Sequence, residues 1–155
     1  MLKREYIELP DSVLKIGGQA FFRQKCLKQI RIPHSVTAIG SEAFRLCDSL
    51  VQVNTGQNSI SKIGQRAFDK CGSLKHFTGE LKVDHIEDYT FRGCSALEKI
   101  VIASPLQSIG QYAFAGCADL RIIYVGKGTL SYSIGLNAFL DCERMHFPTA
   151  KHWKK

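Results

Sequence analysis

Apolar and polar residues recur along this chain in a fixed phrase. The phrase Ile-Gly-x-x-Ala-Phe-x-x-Cys-x-x-Leu reads IGSEAFRLCDSL from Ile39, IGQRAFDKCGSL from Ile63 and IGQYAFAGCADL from Ile109. Looser copies, IEDYTFRGCSAL from Ile86 and IGLNAFLDCERM from Ile134, keep the same register, and an early one opens IGGQAF at Ile16. The starts lie 23, 24, 23, 23 and 25 residues apart. A period in the low twenties with an apolar skeleton marks a solenoid, in which each coil buries its faces against its neighbours. Function is then to be sought on an extended surface rather than in a pocket.

Each copy predicts one coil. Leu27, Ile30 and Ile32 follow a Leu-x-x-Ile-x-Ile spacing whose last two positions alternate as a short strand requires. The same slots hold Leu50, Val53 and Thr55, then Leu74, Phe77 and Gly79, then Leu97, Ile100 and Ile102, then Leu120, Ile123 and Val125. One strand per coil is expected, parallel to its neighbours. An apolar pair three apart follows, as in Val36 and Ile39 or Val83 and Ile86, with both members directed inward. A short helical turn is expected next. It carries Ala43 and Phe44 and their equivalents, so that Phe21, Phe44, Phe68, Phe91, Phe114 and Phe139 stack as the spine of the core. Cys47, Cys71, Cys94, Cys117 and Cys142 each stand three residues after such a Phe and should form a column of reduced, buried thiols, leaving Cys26 outside it.

The alternation of LxxIxIP, SVxxIG and AFxxCxxL resembles the BspA-type class of leucine-rich repeats. The expected fold is an α/β repeat, a right-handed leucine-rich-repeat solenoid of about six coils. It carries a parallel sheet on one face and short helical turns on the other, in a single domain over 1–155. The resemblance implies a binder of other macromolecules, often at microbial cell surfaces, without a shared catalytic set. Three positions depart from the pattern: Gln24 stands where the first Cys is expected, Glu87 replaces a Gly, and Pro148 falls on a strand Ile slot.

The ends carry expectations of their own. Ile7, Leu9, Pro10, Val13 and Ile16 match Ile30, Ile32, Pro33, Val36 and Ile39 at an offset of 23, so the chain enters partway through a coil. An uncovered first coil would pair end to end with another copy, giving a homodimer through the N-terminal coil, or continue a longer array. Residues 145–155 read as a C-terminal cap and basic tail, with Pro148 stopping the sheet and Phe147 and Trp153 forming an apolar lid.

Composition narrows the classes. The chain has 155 residues and 45% hydrophobic content, enough to bury a full core in one domain. No run approaches the roughly 18 apolar residues of a membrane span, and MLKREYIELP lacks the apolar core of a secretory signal. The expected location is cytoplasmic if the chain is complete, and the cell surface if it is a fragment of a longer protein. A net charge of +7 favours acidic proteins, nucleic acids or anionic membranes as partners without choosing among them.

Residues between the strand core positions face out and form columns. One reads Tyr6, Gln29, Gln52, His76, Lys99, Ile122; the next reads Glu8, Arg31, Asn54, Thr78, Val101, Tyr124; a flanking one reads Lys28, Val51, Lys75, Glu98, Arg121. Lys75, His76, Lys99, Val101, Arg121, Ile122 and Tyr124 are the candidate partner-binding residues, because positive charge beside apolar and aromatic side chains is typical of protein interfaces. Nucleic acid is the rival partner, although Glu8 and Glu98 interrupt the basic strip. A self-associating structural segment of a longer surface protein is the other alternative. Enzymatic function is not expected. No two histidines share a repeat position, Asp84, Glu87 and Asp88 read as a solvated acidic cluster, and no phosphate-binding loop is present. Cys142, His146 and His152 lack an evident fourth ligand, so neither metal nor cofactor is expected.

Overall fold

A computed structural model describes residues 4–56, 60–127 and 133–145. The strands run in chain order as β1 (Tyr6–Glu8), β2 (Lys15–Ile16), β3 (Gln29–Arg31), β4 (Ala38–Ile39), β5 (Gln52–Asn54) and β6 (Lys62–Ile63). They continue as β7 (His76–Thr78), β8 (His85–Ile86), β9 (Lys99–Ile102), β10 (Ser108–Ile109), β11 (Ile122–Val125) and β12 (Ser133–Ile134). Each coil therefore holds two strands, an odd-numbered longer one and an even-numbered shorter one, where the spacing predicts one. The second is the Ile of the inward pair and the residue before it. All pairings are parallel and in register at one coil's offset, as in Ile7 with Ile30 and Ile16 with Ile39.

The expected helical turns are absent from the described residues. In their place stands a compound turn built by two left-handed residues per coil, such as Glu42 at φ 57° and Leu46 at φ 61°. Those two residues stop a helix from propagating. Alternate amides close tight turns within the coil, Ala43 to the Gly40 carbonyl and Arg45 to that of Glu42. The amides between them point along the solenoid: Glu42 donates to the Gln65 carbonyl, Phe44 to Ala67 and Leu46 to Asp69, at 3.0, 2.8 and 2.9 Å. A third ladder thus joins the coils, and each coil has three bonded sides.

Between those sides lies the core. Phe44, Phe68, Phe91 and Phe114 are wholly buried, with Phe21 and Phe139 packed at the two ends. Their rings stack from coil to coil with centroids 5.0, 5.1, 5.4, 5.4 and 5.5 Å apart. The cysteine column is as spaced in the sequence, and its thiols are free. Each thiol also has a polar task, donating to the carbonyl of the Phe one coil earlier. Cys71 reaches Phe44, Cys94 reaches Phe68 and Cys117 reaches Phe91, at 3.0, 3.2 and 3.1 Å.

Coil 4, which carries β7 and β8, interrupts both strand ladders. The longer strands form the sheets β1-β3-β5-β7 and β9-β11, and the shorter ones form β2-β4-β6 and β8-β10-β12. Gly79 takes the slot filled by Ile32 and Ile102 elsewhere. Its φ of +110° and its closeness to Thr55, 2.0 Å from where a Cβ would lie, require glycine. The chain there turns Leu81 into the core instead, and Leu81 makes an isolated bridge to Ile102. Glu87 accounts for the other break. At the matching Gly110 an added Cβ would come within 2.5 Å of the Asp88 amide in the preceding coil, so a side chain at this slot holds adjacent short strands apart.

Candidate binding face

The seven candidate residues are carried by two sheets. Lys75 and His76 lie on or beside β7, in the first sheet, whereas Lys99, Val101, Ile122 and Tyr124 lie on β9 and β11, with Arg121 just ahead of β11. On the β9–β11 pair the register sets Lys99 beside Ile122 and Val101 beside Tyr124. Tyr124 is 52% exposed, Lys99 and Arg121 are exposed, and Val101 and Ile122 are half-buried. The apolar part is therefore an exposed Tyr beside two partly covered aliphatic side chains.

Charge separates these residues further. The Lys75 ammonium lies 3.5 Å from the Glu98 carboxylate, which offsets its charge. Ion pairs also hold Lys28 to Glu5 and Arg31 to Glu8. Among the described residues, Lys99 and Arg121 have no acidic partner within ion-pair distance. The free positive charge of the face thus sits around Tyr124.

The opposite turn side carries a charged network bonded within itself around Asp69. Asp69 is fully buried, and both its oxygens are bonded: Arg45 Nε lies 3.1 Å away, Arg92 Nε 2.7 Å and Arg92 Nη2 3.0 Å. These bonds to Asp69 push the Arg92 guanidinium up from its ordinary value. Tyr89 is flanked by Arg66 and Arg92 at 4.6 and 4.8 Å and stacks on Tyr112. Sequence reasoning had no signal for this network beyond its repeat spacing, since every link but Arg92 over Tyr89 joins residues about one coil apart.

The acidic cluster is only partly solvated. Asp84 and Glu87 are exposed, but Asp88 is half-buried and accepts the Gln111 amide at 2.8 Å, stapling two coils. His85 Nδ1 lies 2.7 Å from Ser108 Oγ and its Nε2 3.6 Å from Asp84. A shallow cleft of about 440 Å³ lies between Arg31, His34, Asn54 and Asp11. Among the described residues no group of three His, Cys, Asp or Glu side chains is arranged to hold a metal ion, and no helix is long and apolar enough to cross a membrane. The proposed lid (Phe147, Trp153), the stop at Pro148 and the pair His146 and His152 lie outside the described residues.

Burial raises the proton affinity of four thiols of the column. It pushes Cys71, Cys94 and Cys117 well above the ordinary value and Cys142 up to about 11. These four therefore stay protonated and poorly nucleophilic, whereas the hydrogen bond with Cys71 lowers Cys47.

Known proteins share this architecture. A leucine-rich repeat protein of T. pallidum is 22% identical with a TM-score of 0.67, over 93% of this chain and 79% of that one. A leucine rich cell surface protein of Faecalibacterium prausnitzii is 25% identical with a TM-score of 0.76, over 92% of this chain and 46% of that one. A leucine-rich repeat protein of Eubacterium ventriosum is 22% identical with a TM-score of 0.75, over 94% of this chain and 45% of that one. The chain thus spans less than half the length of the latter two. No curated protein matches the sequence. Residues 15–146 match the BspA type leucine rich repeat region in six copies, and the chain belongs to that family.

Proposed function

We propose that the chain is a non-enzymatic binding module that recognises an acidic region of a protein through the exposed face of β9 and β11. The observation that carries this reading is the placement of Lys99 and Arg121, without acidic partners among the described residues, around Val101, Ile122 and Tyr124. Lys75 and His76 form its rim. Three bonded sides keep the face rigid, so little conformational entropy is lost on capture. An acidic segment bearing an aromatic or aliphatic residue would meet Lys99 and Arg121 with its charge and Tyr124 with its apolar side chain.

A copolymer of glutamate and tyrosine tests the chemistry directly, with binding read by interferometry. The natural chain should bind it, and Lys99→Glu with Arg121→Glu should abolish binding while leaving the melting midpoint unchanged. Binding that survives the double substitution removes this face. Oligothymidylate in a parallel arm addresses the basic surface as a nucleic-acid binder, and tighter binding there would replace the protein reading.

A further inference from the structure

Throughout the molecule, side chains at the same repeat position in adjacent coils touch. Gln19 bonds Glu42 at 2.9 Å, Arg45 and Arg92 both bond Asp69, and Arg45 lies over Phe22. Asn137 bonds the Tyr112 hydroxyl at 2.8 Å, and Arg144 pairs with Asp119 at 2.9 Å. We infer that the C-terminal coil of one molecule docks on the N-terminal coil of a second copy, continuing the solenoid head to tail.

Two columns end in opposite charges at the two ends. The column that starts at Arg23 finishes at Asp141, and the one that starts at Lys25 finishes at Glu143. Arg23, Lys25, Asp141 and Glu143 are all exposed, and none has an ion-pair partner among the described residues. Set one coil apart, the two pairs attract, as Glu5–Lys28 and Asp119–Arg144 do within the chain.

The apolar columns agree. Leu140 is 46% exposed and would meet Phe22, while Ile134, 39% exposed, would meet Ile16. The backbone has matching polarity as well. Turn amides donate forward, Tyr112 to the Leu136 carbonyl and Gly116 to that of Leu140. The equivalent amides of Asn137 and Asp141 have no backbone acceptor among the described residues, and the carbonyls of Gly18 and Phe22 stand where acceptors are needed. Because the two surfaces differ, the contact is heterologous, and each copy added leaves a further end to dock on. Mass should therefore grow with concentration rather than stop at a dimer.

Light scattering across concentrations tests this with charge-swapped chains. The natural chain should associate, whereas Asp141→Lys with Glu143→Lys, and separately Arg23→Glu with Lys25→Glu, should weaken association at least about tenfold at unchanged melting midpoint. Mixing the two variants places opposite charges at every junction and should restore growth. A natural chain that stays monomeric overturns the inference, as does association indifferent to the swaps or variants that fail to rescue each other. Removal of 146–155 is the control for the chain's own tail: association seen only after that removal assigns the end face to the tail and also overturns it. None of the four substituted positions lies on the β9–β11 face, so loss of copolymer binding and loss of self-association are separable.

Discussion

Where the turn segments stack, the backbone ladder runs unbroken through coil 4; where strands stack, each ladder is interrupted there. Arg66, Phe68 and Lys70 donate into coil 4, and Tyr89, Phe91 and Gly93 donate out of it, at 2.7 to 3.1 Å. On the strand sides β6 does not pair with β8, nor β7 with β9. The turn ladder survives because its side chains keep to their columns, with a buried Phe and a thiol in every coil from 2 to 5. The strand sides fail where one residue breaks the column, Gly79 in one case and Glu87 in the other. Continuity in a solenoid is thus decided side by side, not coil by coil.

Phe91→Ala strikes the intact side at its weakest coil and should cost about 3 to 5 kcal/mol, lowering the melting midpoint more than the same change at an end of the stack. An effect no larger than that of Phe139→Ala would show that the turn side does not carry coil 4. Gly79→Ala attacks the broken side, forcing a Cβ against Thr55 at a left-handed φ, and should cost about 1 to 3 kcal/mol by denaturant titration.

Alkaline titration probes the thiol column. Cys71, Cys94, Cys117 and Cys142 titrate higher in the fold than in the unfolded chain, so their contribution is whole below the ordinary value of 9.0 and declines as pH rises from there through about 11 for Cys142. The melting midpoint should fall across that window, and a Cys94→Ala, Cys117→Ala chain should fall less steeply. The smallest effect is expected at Lys70, exposed at φ 62° in a column where Gly93 and Gly116 stand at 72° and 75°. Lys70→Gly should raise stability by up to about 1 kcal/mol, relieving strain without touching the ladder.

The Phe and Cys columns were legible because a buried position tolerates few residue types, so the same letters return at each period. The second strand was not: two residues, such as Lys15–Ile16, are too short to show alternation. The compound turn mimics a helix in sequence, since Phe44 and Cys47 sit three apart in either conformation. The left-handed positions that decide the matter hold Glu42, Arg66 and Tyr89, which carry no common signal. At the binding face, the column itself places Lys75 beside Glu98, so the ion pair was readable. The interruption of the strand ladder after β7 was not, because it depends on Leu81 entering the core from outside the repeat pattern.

The thiol-to-carbonyl bonds, like the three ladders, run along the solenoid axis rather than around it. Tension applied between the two ends would load them in series, one junction after another, as in a zipper pulled open tooth by tooth. The junctions on either side of coil 4, each with one strand ladder interrupted, would then part before the others, so under force the molecule should yield first as three blocks, coils 1–3, coil 4 and coils 5–6.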